Sequence, residues 1–183
     1  MNVLVMHLKG ISQYYASTKH SAVTQSGVLF KTEKYPTKQA VTGMIGAAMG
    51  IERFSEELNE LYNAIDMRYK TIHAGNVTTE FCIIGPANED DFFYDICGKP
   101  VRDEKKNKGI KEVEYLQDYE FLVYIKASDD LLKKIYHAFQ NPVYEPYLGR
   151  RVCHPSVPIV DGDIETAIIA IDDFEEGMKR PNM

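Results

Sequence analysis

The chain contains no apolar run approaching the roughly 20 residues that a membrane-spanning helix needs. Its start, MNVLVMHLKG, is apolar but has neither a basic leader nor a small-residue cleavage site, so no secretory signal is expected. Cysteine is scarce. Cys82, Cys97 and Cys153 are odd in number and widely spaced, which excludes a disulfide framework and suits free thiols in a reducing cytoplasm. No CxxC pair is present, and the five histidines (His7, His20, His73, His137 and His154) form no HxH, HxxxH or HExxH spacing. Nucleophile-elbow, Walker and GxGxxG motifs are also missing. Neither a metal nor a cofactor is therefore expected.

Positive charge is in deficit as well. The 21 Lys and Arg face 27 Asp and Glu, a net charge of −6. A protein that grips a long duplex unaided is more often basic. The charges segregate, however. Acids gather in Glu52–Glu60, Glu89–Asp95 and Asp161–Glu176, whereas bases gather in Lys99–Lys111 and at Arg150-Arg151. With 44% hydrophobic and 26% charged residues, the 183 positions suit one soluble globular domain.

Periodicity yields a coarse order of elements. Val3–Leu8 alternates and reads as a strand. Ser12–Ser26 is polar without helical period and reads as an ordered loop, followed by a short strand at Val28–Phe30. Lys38–Met49 reads as a helix with Thr37 as N-cap, and Ser55–Asn63 as a second with Ser55 as cap. Ala64–His73 and Thr78–Ile84 read as strands, and Phe92–Gly98 with the KKNKG tract as a hairpin or protruding loop. Glu112–Ala127 reads as a strand, with a shorter alternating core at Tyr119–Ile125. Ser128 or Asp129 caps a helix over Leu131–Phe139, and Glu165–Ile171 reads as a last strand. Strand, helix, strand, then extra strands, then strand, helix, strand is the split βαβ pattern. The expected class is α+β and ferredoxin-like: an antiparallel sheet with two helices.

Several segments could carry chemistry. Asn141–Pro158, NPVYEPYLGRRVCHPSVP, is too rich in proline for a helix. Arg150-Arg151 could fork onto phosphate, and Tyr144 and Tyr147 could stack on unpaired bases. A structural corner, with tyrosines packed and arginines paired to acids, fits the spacing equally. In the first helix Gly43-Met-Ile-Gly46 reads as close packing rather than a phosphate clamp. Its start could still meet a phosphate through free N–H groups. The basic Lys99–Lys111 tract is either a solvated loop or an arm along a polyanion. A metal-independent ribonuclease would need a converging acid and base. Tyr14, Lys19 and His20 share one polar loop, but an exposed loop histidine is the simpler reading.

Two stretches are recognisable together. YPTKQAVTGMIGAAMGIER (Tyr35–Arg53) resembles an aromatic-Pro-Thr opening a glycine-punctuated helix that ends in Gly-Ile. YEPYLGRRVCHPSVP (Tyr144–Pro158) resembles a Tyr-x-Pro-Tyr-Leu-Gly-Arg-Arg-x-Cys segment of the same family. Between them EVEYLQDYEFLVYIKA is similar to a family strand, and Met1–Gly10 followed by Gln13 and Tyr14 is similar to its first strand. The family is the CRISPR-associated Cas-five group in its CasD-type, type I-E form, a RAMP subunit of the Cascade complex. The likeness covers most of residues 1–162. It departs in the tail, where relatives continue into a further segment with a final strand and this sequence stops at MKRPNM.

The resemblance implies a single RAMP-type domain over residues 1–183, with a β-hairpin thumb inserted within about Gly75–Glu114. It implies a non-catalytic antiviral-defence subunit that binds and caps the 5′ handle of crRNA. Its implied partners are backbone RAMP subunits, the large PAM-reading subunit and the small subunits, with target DNA in the assembled complex. The RNA-contacting residues it suggests are Ser12, Gln13, Tyr14, Lys19 and His20; Pro36, Thr37 and Lys38 at the helix start; Arg102, Lys105, Lys106 and Lys108 on the thumb; and Tyr144, Tyr147, Gly149, Arg150 and Arg151. No catalytic residue is assigned. The alternative is a metal-independent endoribonuclease that processes precursor crRNA, using His20 or His154 with Tyr14 or a lysine.

Overall fold

The first strand, β1 (Asn2–Lys9), buries Leu4, Met6 and Leu8 on one face and turns His7 and Lys9 to the other. That is the period-two consequence of its alternating sequence. The structure is a computed structural model and describes residues 1–16, 22–23, 28–84, 109–172, 174 and 178–179. After β1 come three short strands, β2 (Ser12–Gln13), β3 (Ala22–Val23) and β4 (Val28–Phe30).

Helix α1 (Lys38–Met49) starts where the Thr37 side chain accepts from the Ala40 N–H, and ends at Gly50 in a left-handed conformation. Helix α2 (Glu56–Ala64) is capped in the same way by Ser55. Strands β5 (Asp66–His73), β6 (Asn76–Ile84), β7 (Gly109–Gln117) and β8 (Glu120–Lys126) follow. Helix α3 (Asp129–Gln140), capped by Ser128, buries Leu132, Ile135 and Tyr136. A one-turn α4 (Ile164–Ala167) leads into β9 (Ile168–Ala170).

The main sheet has the order β5-β8-β1-β9, and every neighbouring pair is antiparallel. Two helices lie between β1 and β5 in sequence, and two between β8 and β9. This is the ferredoxin-like arrangement: of its four strands, the fourth and third flank the first, and the second closes one edge. Leu4, Met6 and Leu8 of β1, Met67 of β5 and Val123 and Ile125 of β8 meet Val41 and Ile45 of α1, Leu61 of α2 and Leu132 and Ile135 of α3 in one core. Each fully buried aliphatic side chain contributes about 1.5–3 kcal/mol from apolar burial.

A second sheet grows out of the first. The β5/β8 ladder reaches His73 opposite Glu120, and the β6/β7 ladder takes over at Asn76 opposite Gln117. The two strands therefore leave the main sheet together as a long inserted hairpin. They bend at Ala74-Gly75 and at Asp118-Tyr119. A Cβ on Gly75 would stand 1.9 Å from the Gln117 carbonyl oxygen, so only glycine lets the two bends pack this closely. Asp118 is left-handed, with φ 59. The other edge of β7 pairs with β2 near its end and, in parallel, with β4 near its start, and β3 adds to β4.

The structure corrects three expectations about elements. Glu112–Ala127 is not one strand: it breaks at Asp118 into β7 and β8, which belong to different sheets. Aspartate tolerates the left-handed turn, so no glycine marks the break. The polar Ser12–Ser26 stretch contains the two-residue strands β2 and β3, recruited by edges of the second sheet rather than by their own propensity. The expected strand at Glu165–Ile171 opens as α4, because Asp163 accepts from the Thr166 N–H at 3.0 Å. Helix α2 is the expected Ser55–Asn63 helix, and α4 brings the helices among the described residues to four. The Phe92–Gly98 and Lys105–Lys108 segments lie outside the described residues. No described helix is long and apolar enough to cross a membrane.

Candidate nucleic-acid interface

The proline-rich segment after α3 runs along β1 and β2. The Tyr14 N–H donates to the Leu148 carbonyl at 2.9 Å, the Ser156 N–H to Lys9 at 2.8 Å, and the His7 N–H to Ile159 at 2.7 Å. Within it, residues 148–153 close on themselves: the Leu148 N–H donates to the Cys153 carbonyl at 2.8 Å, and the Cys153 N–H to Arg150 at 2.9 Å. Leu148 and Cys153 are fully buried and anchor this small loop. Burial pushes the Cys153 thiol pKa up, which suits a packing role. Gly149 has φ 98, and a Cβ there would stand 1.6 Å from the Tyr14 carbonyl oxygen. The loop can approach β2 only because this residue is glycine.

That approach places Arg150. Its Nη1 donates to the Tyr115 hydroxyl at 3.0 Å. The guanidinium centre lies 4.9 Å from the Tyr14 ring centre and 5.9 Å from that of Tyr115. The two rings meet edge to face, 6.1 Å apart at 60°. Burial raises the Tyr14 hydroxyl pKa, with Arg150 pulling the other way. Among the described residues no carboxylate forms an ion pair with Arg150. Each ring contact is worth about 0.5–1 kcal/mol at a wet site and more when desolvated. The guanidinium is thus oriented by rings from two other elements and keeps N–H donors for an outside acceptor. Arg151 and Val152 are exposed beside it at the loop tip.

The other expected residues do not all converge on this point. Ser12 reaches the Cys153 sulfur at 3.7 Å and belongs to the loop's underside. Gln13 is fully buried. Its amide donates to the Tyr119 carbonyl at 2.6 Å, and its oxygen accepts from the buried Tyr15 hydroxyl at 2.6 Å, so the side chain serves the fold. Tyr144 is exposed, but the N–H groups of Val143 and Tyr144 donate to Ala48 and Ala47 at the end of α1. Tyr147 donates to Glu145 at 3.2 Å and meets the His154 ring edge to face at 5.1 Å, and His154 lies 3.7 Å from the same carboxylate.

Pro36, Thr37 and Lys38 sit at the start of α1. Thr37 already caps one of its N–H groups, and the Lys38 ammonium lies 4.3 Å from the Tyr62 ring centre. That end is separated from Tyr144 by the 12-residue helix, about 18 Å at 1.5 Å per residue. Lys19, His20, Arg102, Lys105, Lys106 and Lys108 lie outside the described residues. The sequence reading missed Tyr115. Its only sequence signal is its place in the alternation of β7, and nothing in the spacing links it to an arginine 35 residues later. Among the described residues no group of three His, Cys, Asp or Glu could hold a metal.

A family model described as CRISPR-associated protein (Cas_Cas5) matches residues 8–182. No curated protein matches. Among solved structures, the chain is similar to one described as a CRISPR RNA-guided surveillance complex, at 25% identity and a TM-score of 0.70, over 86% of this chain and 61% of that one. It is also similar to a crystal structure of a Cas protein, at 24% identity and a TM-score of 0.58, over 85% of this chain and 60% of that one. The chain spans about three-fifths of the length of these two solved chains.

Proposed function

We propose, for a chain that belongs to the CRISPR-associated Cas-five family, a role as a guide-RNA-binding subunit of a Cascade-type surveillance complex. The finer reading is a type I-E subunit, working in the cytoplasm, that caps the crRNA 5′ handle and helps assemble the complex on target DNA. The observation that carries it is the Arg150 guanidinium, held against Tyr14 and Tyr115 with no carboxylate partner among the described residues. An arginine whose direction is locked but whose charge is unspent is suited to a phosphate. Arg151 adds a second cation at the tip. The partners under this reading are the crRNA and the backbone, PAM-reading and small subunits.

The role is non-catalytic under the same reading. Tyr14 is engaged with Arg150 and Tyr115, whereas His154 is engaged with Tyr147 and Glu145. A general acid and base must reach the same 2′-hydroxyl, and these two side chains are committed to different neighbours. The test is to co-express the Arg150→Ala, Arg151→Ala double variant with the other subunits. The expected result is loss of guide RNA from the purified complex, read as a lower 260/280 nm absorbance ratio. Unchanged assembly and RNA content would remove these residues from the role. Incubation of the purified chain with precursor RNA in EDTA covers the catalytic alternative, for which specific cleavage would be the sign.

A further inference from the structure

Where the two sheets bend apart there is a cavity of about 350 Å³. That volume falls within the range of small-ligand pockets. Its polar lining comes from Lys9, His73, Asp118 and Ser156, and Ile11 and Tyr119 supply apolar walls. Glu120 also borders it, but its carboxylate is spent: His7 Nε2 lies 2.7 Å from one oxygen and Lys9 Nζ 3.0 Å from the other. The Lys9 hydrogen bond, then that of His7, holds this carboxyl below the usual glutamate range. The Lys9 ammonium has three N–H donors and keeps others for the cavity.

Asp118 differs from Glu120. Its N–H donates to the Ile11 carbonyl at 3.2 Å, and its backbone is left-handed, a strained conformation that fixes where the side chain starts. Among the described residues its carboxylate has no hydrogen-bond or ion-pair partner. The cavity thus pairs one free two-oxygen acceptor with cationic and hydroxyl donors, and Ile11 and Tyr119 add apolar surface to its lining.

We propose that this cavity is a base pocket that selects guanine in single-stranded RNA. Guanine alone among the four RNA bases presents two adjacent N–H donors, N1–H and the N2 amine, beside an acceptor, O6. A carboxylate can take both donors at once while an ammonium takes the oxygen. Uracil offers one donor between two acceptors, and adenine and cytosine offer an amine beside an acceptor nitrogen, so none fills both carboxylate oxygens. Unpaired bases are read in this way on their Watson–Crick edges, with apolar and aromatic faces around them. Its Asp118 directly follows β7, three residues beyond Tyr115, so a strand held by Arg150 can reach the pocket. The inference rests on the RNA-binding reading above.

The test uses the full-length chain and three short RNAs: oligouridine, the same oligomer with one guanosine, and the same with one inosine, which lacks the N2 amine. Asp118→Asn is the variant, because asparagine tolerates the left-handed turn as aspartate does. The parent should bind the guanosine oligomer roughly tenfold or more tightly than the other two, the scale of one good bidentate base contact. Asp118→Asn should bind all three alike. Equal binding of all three by the parent, or a guanosine preference that survives in Asp118→Asn, overturns the pocket and leaves the RNA reading standing. Failure of the parent to bind any of them overturns both.

Discussion

Gly149→Ala tests whether the Arg150 loop is held as described. The glycine has φ 98, and its missing Cβ would sit 1.6 Å from the Tyr14 carbonyl oxygen. Holding an L-residue in the left-handed region costs roughly 1–2 kcal/mol. Real Cβ contacts essentially never fall under 3.0 Å, so going from 1.6 to 3.0 Å moves main chain against main chain. That shift breaks the 2.9 Å bond from the Tyr14 N–H to Leu148, a loss of about 1 kcal/mol, or more if the donor stays buried. Together these amount to roughly 3 kcal/mol, which lowers the melting temperature by about 6–12 °C for a chain of this size. Gly43→Ala is the control in differential scanning calorimetry. Gly43 lies mid-helix in α1, and a Cβ there would meet nothing within 4 Å. Alanine should stabilise by about 1 kcal/mol and raise the midpoint by about 2–4 °C. A Gly149→Ala midpoint within about 2 °C of the parent, in an assay that resolves Gly43→Ala, would refute the account of the loop.

Two further outcomes follow from buried and paired groups. Tyr15→Phe removes the 2.6 Å donor to the Gln13 amide oxygen in a fully buried pair. It should destabilise by about 1–3 kcal/mol in urea titration, and a change below about 0.5 kcal/mol would contradict the bond's structural role. Glu120 has a folded pKa lowered by Lys9 and His7. Its contribution is therefore complete above the ordinary glutamate value of about 4.3 and is lost as pH falls through the lower folded value. Glu120→Gln should be less stable than the parent near neutrality, and the gap should close in acid; a gap independent of pH would contradict this.

Much of the frame was legible because it is written in local rules. Thr37, Ser55 and Ser128 announce three helices through caps that need only their own next turn. The alternation of β1 and the apolar face of α3 name core residues directly. The break between β7 and β8 was hidden because EVEYLQDYEFLVYIKA alternates across it, and an aspartate turns the chain where a glycine would have been noticed. The short strands β2 and β3 were hidden because pairing with the second sheet makes them, not their residues. At the candidate interface, Arg150, Arg151 and Gly149 stand out as a motif, but Tyr115 does not.

By itself the sequence determined the α+β class, the main helices and strands, the rigid GRR corner and, by resemblance, the family. These depend on neighbours a few residues apart. Only the tertiary structure decided which side chains that corner meets: Tyr14 and Tyr115 converge on Arg150, Gln13 turns into the core, and Tyr144 goes to the end of α1. It also decided that Lys9 and Asp118 share a cavity. The physical reason is that strand pairing joins segments about a hundred residues apart. Which face of each strand then points where depends on bends set by single residues such as Gly75 and Asp118.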